Sequence, residues 1–289
     1  MGTLYLVGTP IGNLEDVTLR ALRVLGEVAL IAAEDTRRAH VLLTRYNIST
    51  PVVSYFEANK QHRLGRVLQV LETGDVALIS EAGMPGLSDP GYELVCAVLA
   101  HGHPVVPVPG PSAPIAALVV SGLPTDRFLY LGFLPRQPAR RRALLQEVAT
   151  VPWTLVAFEA PHRLREALTD MEAALGGQRP VALGRELTKR FEELWRGTIS
   201  QARAHFADQE PRGEFTLVIG GAEDEPAWDE ERVRAELAER LARGVPRSQA
   251  VRDVAAHSGW SRRQVYALGL QASDEPAGPT EPTTKTGAE

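Results

Sequence analysis

The chain has 289 residues, of which 44% are hydrophobic and 23% are charged, and its formal net charge is −5. This composition is typical of a globular protein of two domains with a small appendage, and the acidic balance argues against a protein that coats nucleic acid without specificity. The single cysteine, Cys96, excludes an internal disulfide. No apolar stretch is long enough to span a bilayer, so we expect a cytoplasmic protein that does not bind membranes.

Short apolar segments alternate with segments of helical periodicity from residue 3 to about residue 121. The apolar segments predict β-strands at residues 4–8, 28–33, 76–80 and 105–108. The segments between them predict helices at residues 18–26, 36–46, 60–72 and 92–100. Nearly continuous apolar strands separated by helices indicate a parallel sheet covered on both faces. We therefore interpret residues 1–121 as an α/β domain.

A second α/β domain is predicted over residues 122–222. Its apolar segments indicate strands at residues 128–133, 154–158, 180–184, 191–198 and 214–219. Residues 161–175 carry apolar side chains along one helical face. Two of the later strands are too close in the sequence for a helical crossover, so they are expected to pair antiparallel within a mixed sheet.

The C-terminal part is predicted to be a small helical module followed by a disordered tail. Residues 223–226 are acidic and indicate a linker, and the module covers residues 226–271. Within the module, a helix, a turn containing Gly259 and a second helix have the outline of a helix-turn-helix, although a helical hairpin that packs or dimerises explains the pattern equally well. Residues 272–289 have almost no apolar side chains, so we expect them to be disordered.

Four loops follow the predicted parallel strands of the first domain and are rich in glycine, proline or polar residues. They comprise residues 8–13, 34–37, 80–91 and 109–113. Because the carboxyl ends of parallel strands lie at one edge of a sheet, these loops are expected to converge and form a ligand pocket. The longest loop, residues 80–91, contains three glycines and two prolines, which is more than a simple turn needs.

Several common kinds of site are absent from the sequence. The loop after the first strand is not a dinucleotide-binding G-x-G-x-x-G, and no phosphate-binding P-loop or G-x-S-x-G nucleophile elbow occurs. The histidines and the cysteine are scattered without metal-ligand spacing, so no metal is expected. The ligand is therefore expected to be held by backbone amides and carbonyls of the loops.

Together with three later segments, 158–164, 184–189 and 213–215, the loops resemble the tetrapyrrole methylase superfamily, and within it the branch that acts on small-subunit ribosomal RNA. The superfamily binds S-adenosylmethionine in a cleft between two α/β domains. The resemblance implies 2′-O-methylation of a cytidine in the decoding region of 16S ribosomal RNA, free or within the small subunit, by a homodimer. It also implies a cofactor site lined by Pro10, Ala82, Gly83, Met84, Ser112 and Ala113. Ala82 and Met84 depart from the Gly-Gly-Asp-Pro sequence of relatives that act on tetrapyrroles.

Removing the proton of a ribose hydroxyl requires a nearby base, and the carboxylates of Glu34, Asp35 and Glu81 are candidates because they lie on the pocket loops. Arg37 is predicted to hold a phosphate or to orient a carboxylate. Asp35 also precedes the helix predicted from residue 36, where an acidic side chain satisfies free backbone amides, so capping and catalysis both remain open for it. Glu81 either takes part in the chemistry or braces its own loop.

RNA binding is assigned to basic side chains of the second domain: Arg136, Arg140, Arg141, Arg142, Lys189 and Arg190. The alternative for the arginine run is a solvated helix face. Two other functions remain open, namely C-methylation of a tetrapyrrole by an enzyme of the same fold and gene regulation through the C-terminal module. The arginine run and the module favour RNA over a tetrapyrrole, whereas a regulator would leave the pocket loops without a purpose.

Overall fold

The computed structural model describes residues 1–56, 60–222 and 228–271, which form two compact units that divide after Ala222. The predicted linker at 223–226 and the predicted disordered tail at 272–289 lie outside the described residues. Each unit is described separately below.

Within the described residues, five parallel strands form the first sheet in the order β3-β2-β4-β1-β5. The strands are β1 (Leu4–Val7), β2 (Leu30–Ala33), β3 (Val52–Ser54), β4 (Val76–Ile79) and β5 (Val105–Val108). The helices between and after them are α1 (Leu19–Glu27), α2 (Thr36–Arg45), α3 (Lys60–Leu71), α4 (Tyr92–Ala100) and α5 (Ala113–Val120). The parallel sheet was predicted, whereas β3 and α5 were not.

Helices cover both faces of this sheet, as the apolar strands predict. Every residue of β2 and β4 is buried. Side chains such as Leu25 and Leu43 of α1 and α2 pack on one face, and Leu71 and Leu94 of α3 and α4 pack on the other. Because β2 and β4 are enclosed in this way, ligands have access to the sheet at its edges and ends.

The second sheet is mixed, as predicted, and its strands in the described residues have the order β6-β7-β10-β8-β9. The strands are β6 (Phe128–Phe133), β7 (Thr154–Glu159), β8 (Pro180–Arg185), β9 (Glu193–Thr198) and β10 (Phe215–Ile219). β6 and β7 pair in parallel, and the remaining pairs are antiparallel. The helices are α6 (Pro138–Glu147), α7 (Leu164–Leu175) and α8 (Ile199–His205), and a 3-10 turn at Pro161–Arg163 precedes α7. Of these helices, α6 and α8 were not predicted.

Helix α5 connects the two sheets through its packing. It follows the last strand of the first sheet in the chain, but Ala117 and Leu118 pack against Val156, Ala182 and Val218 on a face of the second sheet. The loop that begins α5 is therefore held between the carboxyl edge of the first sheet and the second sheet.

The C-terminal unit contains α9 (Glu230–Ala242), α10 (Arg247–Ser258) and α11 (Arg262–Gln271) among the described residues. Gly259 ends α10 with a φ of 71°, a left-handed conformation that glycine adopts without strain. A small core that includes Trp228, Val233 and Val254 joins the helices, and the Trp260 indole donates a hydrogen bond of 2.6 Å to the Trp228 carbonyl. The predicted helix, glycine turn and helix are thus present.

Candidate active site

The four predicted loops meet at the carboxyl edge of the first sheet. Thr9 and Gly83 exchange backbone hydrogen bonds of 2.9 and 3.0 Å, which join the loop after β1 to the loop after β4. The loop after β5 packs backbone to backbone on the loop after β1, since a Cβ built on Gly110 would lie 2.9 Å from the backbone of Gly8. Glycine is required at this crossing because real side chains do not approach a backbone so closely.

A cavity of about 290 Å³ lies between the two sheets, and we name it the inter-sheet cleft. The loops after β4 and β5 form one wall, and residues of β6, β7, β8 and β10 form the other. Five of the predicted cofactor residues line it, namely Ala82, Gly83, Met84, Ser112 and Ala113. The structure therefore brings together, in one cleft, residues that are distant in the sequence.

A second cavity of about 390 Å³ lies between the loop after β1 and helix α2, and we name it the α2 cavity. Pro10, the remaining predicted cofactor residue, lines this cavity rather than the inter-sheet cleft. The cavities are neighbours because Ile11, Glu81, Ala82 and Lys189 line both of them.

Glu34 is half-buried beside the loop after β4, and its Oε2 accepts a hydrogen bond of 3.2 Å from the backbone N–H of Glu81. Burial raises the pKa of Glu34, and the nearby charges of Glu81 and Asp35 raise it further, while the hydrogen bond from Glu81 lowers it. A carboxylate that is reluctant to ionise in this way is a better proton acceptor than an ordinary surface carboxylate.

Asp35 caps helix α2. Its Oδ1 accepts hydrogen bonds from the backbone N–H groups of Arg37 and Arg38 at 2.8 and 3.4 Å, and its Oδ2 pairs with the Arg37 guanidinium at 2.9 Å. The hydrogen bonds from the Arg37 side chain and backbone lower the pKa of Asp35 to about 2. Such a carboxylate is a weak base, so the geometry favours the capping interpretation of Asp35, and Arg37 is occupied in the same interaction.

Glu81 and Arg38 form an ion pair at the mouth of the α2 cavity, with Arg38 Nε 2.8 Å from Glu81 Oε1. Both side chains remain substantially exposed. Arg38 was not predicted as a site residue, although it directly follows Arg37, the last residue of the loop that the sequence singled out.

Asp89 is a carboxylate that the sequence interpretation missed. It lies on the loop after β4 and lines the inter-sheet cleft. Burial raises its pKa to about 7, with further contributions from the charges of Glu34 and Glu81, against the lowering effect of a hydrogen bond from Ser80. The neighbouring Ser88 holds this part of the loop against β6 through a hydrogen bond of 2.7 Å between its hydroxyl and that of Tyr130. The sequence signal that could have identified Asp89 was the presence of an acidic residue inside the longest glycine- and proline-rich loop.

The arginine run divides into exposed and buried members. Arg136, Arg140 and Arg142 are exposed, as is Arg190. Arg141 is 1% exposed, and its Nε and Nη2 each lie 2.7 Å from Oδ2 of Asp170 on α7. Arg141 must therefore be removed from the predicted RNA-binding set, because its guanidinium is enclosed between α6 and α7.

Lys189 lies in the wall of both cavities rather than on the open surface. Its ammonium is 2.9 Å from carboxylate oxygens of both Glu186 and Glu214. Partial burial lowers the pKa of Lys189, but the hydrogen bonds that its ammonium donates to these two carboxylates raise it by more. The site therefore contains, where the cavities meet, an ammonium group that two carboxylates hold in place.

The residues that the structure describes contain neither a candidate metal site nor a candidate membrane-spanning helix. Within residues 1–56, 60–222 and 228–271, no three His, Cys, Asp or Glu side chains are grouped in a way that would hold a metal ion. No helix in the same residues is both long enough and apolar enough to cross a membrane.

The chain is similar to known methyltransferases over most of its length. The profile of the family described as Tetrapyrrole (Corrin/Porphyrin) Methylases matches residues 3–203. The protein named ribosomal RNA small subunit methyltransferase I of Synechocystis sp. is 49% identical over 94% of this chain and 98% of its own length. Its namesake from Halalkalibacterium halodurans is 46% identical over 92% of this chain and 94% of its own length.

A solved structure shows the same fold. The uroporphyrin III C-methyl transferase from Thermus thermophilus is 24% identical, with a TM-score of 0.55, and the match covers 76% of this chain and 97% of that chain. At this identity, the likeness concerns the arrangement of strands and helices alone.

Proposed function

Because the chain belongs to the tetrapyrrole methylase family and, within it, to the ribosomal RNA small subunit methyltransferases I, we propose that it methylates the ribose 2′-hydroxyl of a cytidine in the decoding region of 16S ribosomal RNA. The methyl donor is S-adenosylmethionine. The observation that carries this proposal is the identity of 46–49% that extends over more than nine-tenths of the chain.

The inter-sheet cleft fits S-adenosylmethionine. Its size is near the lower end of the range for small-molecule sites, and small side chains at Ala82, Gly83 and Ala113 leave the loop backbones accessible. The carboxylates of Glu81 and Asp89 line the same cleft and provide the negative charge that attracts a sulfonium cation. When bound, this cofactor supplies an activated methyl group.

The loops contribute to the reaction mainly by alignment. Hydrogen bonds between Thr9 and Gly83 and the contact of Gly8 with Gly110 fix the loops relative to one another. Such preorganisation would let the loops hold a bound cofactor in one orientation toward the substrate, and good alignment is worth roughly 7–11 kcal/mol of the barrier.

We assign proton removal to the carboxylates of Asp89 and Glu34, with Asp89 as the first candidate. A general base works best when its pKa is close to the working pH, and the pKa of Asp89 is raised to about 7. Asp35 is less suited because its pKa is about 2. In this assignment Arg37 keeps Asp35 in place as the cap of α2, and Glu81 positions Arg38.

The base is tested by comparing Asp89→Asn with Glu34→Gln in single-turnover assays. The variant that removes the base is expected to lower the rate of methyl transfer by about 10²-fold or more while the affinity for S-adenosylmethionine changes little. Wild-type rates in Asp89→Asn would eliminate Asp89 and leave Glu34 as the base.

RNA contacts are proposed for the exposed arginines Arg136, Arg140, Arg142 and Arg190. Arg136 follows Phe133, which lines the inter-sheet cleft, by three residues, so the arginines begin beside the cleft. We further propose that the enzyme is cytoplasmic and forms a homodimer. Light scattering coupled to size-exclusion chromatography tests the oligomeric state.

Mass-spectrometric mapping of 16S ribosomal RNA from cells lacking the gene tests the proposed function. One ribose methyl group on a cytidine of the decoding region is expected to disappear and to return when the wild-type gene is restored. Unchanged methylation would contradict the proposal. Tetrapyrrole methylation is not favoured, since the solved tetrapyrrole enzyme shares 24% identity whereas the ribosomal RNA methyltransferases share 46–49%.

A further inference from the structure

The α2 cavity adjoins the inter-sheet cleft and shares part of its lining with it. The loop after β1, helix α2 and the start of the loop after β4 enclose its volume of about 390 Å³, and only Pro10 and Ala82 of the predicted cofactor residues line it. Ile11, Glu81, Ala82 and Lys189 form the wall that it shares with the cleft. A molecule in the α2 cavity therefore lies next to a molecule in the cleft.

The walls of the α2 cavity have two different chemical characters. One side is apolar and belongs to the loop after β1, to β4 and to α2, with Ile11, Leu14, Ala39, Val41, Leu42 and Ile79. The charged groups of Arg38, Glu81 and Lys189 also line the cavity. Apolar side chains together with two cationic groups match a nucleotide, which combines a base, a ribose and an anionic phosphate.

Contacts within the protein fix both cations in position. The Arg38 backbone is tied to the Asp35 cap, and its Nε is paired with Glu81, so the guanidinium is held at the cavity mouth. Lys189 is anchored by Glu186 and Glu214 and packs against the loop after β1, because a Cβ built on Gly12 would collide with its side chain.

We propose that the α2 cavity holds the target nucleotide of the RNA, with its base on the apolar face of α2, its neighbouring phosphate on Arg38 and its ribose beside Lys189 at the wall shared with the cofactor cleft. This inference rests on the proposed function. It requires the nucleotide to be turned out of the RNA stack, as enzymes that modify a buried position do.

Filling the cavity tests this placement. Val41 lines the α2 cavity and is 60% exposed, so Val41→Trp is expected to narrow the cavity without disturbing the core. The matched control is His40→Trp, which adds the same side chain at the adjacent exposed position outside the lining of either cavity. Isothermal titration measures S-adenosylmethionine affinity, and transfer of labelled methyl groups to small ribosomal subunits measures activity.

Val41→Trp is expected to lower kcat/KM for the RNA by at least about tenfold while the cofactor Kd stays within about twofold, and His40→Trp is expected to behave as the wild type. Wild-type kcat/KM in Val41→Trp would overturn the placement. Loss of cofactor binding in that variant would also overturn it, because the cavity would then belong to the cofactor.

A second pair of variants decides the question if Val41→Trp does not fold. Arg38→Ala is expected to raise KM for the RNA by about tenfold, whereas Arg45→Ala, at the exposed end of the same helix, leaves KM unchanged. Equal KM values for these two variants would refute the proposal. Failure of the proposed function is recognised separately, since the wild-type enzyme would then transfer no methyl group to 16S ribosomal RNA, either free or within the subunits.

Discussion

Replacing Asp89 by asparagine is expected to make the protein more stable at pH 8 and less active. The carboxyl group is partly enclosed in the inter-sheet cleft and faces the charges of Glu34 and Glu81, which is why its pKa is raised to about 7. An acid whose pKa is higher in the folded chain than in the unfolded chain stabilises the fold when protonated. That contribution is lost as the pH rises through the folded-state pKa. Asparagine keeps the shape of the side chain and removes the charge.

The size of the effect follows from the difference between the ordinary pKa of 3.8 and the raised value of about 7. At 1.36 kcal/mol per pKa unit, this difference sets an upper bound of about 4 kcal/mol. Solvent reaches part of the carboxyl group and screens its charge, which reduces the expected contribution to about 1–2 kcal/mol. Between pH 5 and pH 8, we expect the stability of Asp89→Asn relative to the wild type to increase by about 1 kcal/mol.

Urea unfolding at pH 5 and pH 8 measures this difference, and Asp126→Asn, a neutralised carboxyl on the exposed surface, is the control. The control is expected to show the same relative stability at both pH values. If Asp89→Asn also shows no change between pH 5 and pH 8, the argument that burial and repulsion act on Asp89 is wrong. A gain in stability together with a loss of turnover would mark Asp89 as a residue kept for function.

Three further predictions concern residues around the site. Arg141→Met is expected to destabilise the protein by about 3 kcal/mol because it leaves the buried carboxylate of Asp170 with Arg142 as its remaining arginine partner, whereas Arg142→Met is expected to cost less than about 1 kcal/mol. Equal midpoints of urea unfolding for the two variants would contradict this. Asp35→Asn is expected to keep its turnover and a melting temperature near that of the wild type, whereas Asp35→Ala is expected to lower the melting temperature measured by circular dichroism. A large loss of turnover in Asp35→Asn would identify Asp35 as a base. Gly110→Ala is expected to lower the free energy of unfolding by about 1–3 kcal/mol and to weaken cofactor binding, because the new Cβ would collide with the backbone of Gly8. Unchanged stability and affinity would disprove the close packing of the loops.

The parallel sheet and its loops could be predicted because the information is local. Buried strands such as β4 are continuous apolar runs, and the loops after them carry glycine and proline at a density that simple turns lack. Strand β3 was missed because its three residues are half-buried at the sheet edge, which leaves a segment too short to show a pattern.

The features that were missed or misassigned depend on which side chains meet in space. The pKa of Asp89 is raised first by burial and then by the charge of Glu34, which is 55 positions earlier in the chain, so the sequence gives no direct sign of it. Arg141 was placed with the RNA-binding arginines because charge is usually exposed. A helical signal was nevertheless present, since Arg141, Leu145 and Val148 are spaced as one buried face.

The packing of α5 has a consequence for how the chain folds. Its residues follow the first sheet in the sequence, yet Ala117 and Leu118 complete the apolar face of the second sheet. A fragment that ends after α5 leaves these apolar side chains exposed, and a fragment that begins after α5 lacks their cover for the second sheet. Residues 1–222 are therefore expected to unfold in a single cooperative transition, and neither half is expected to be stable alone.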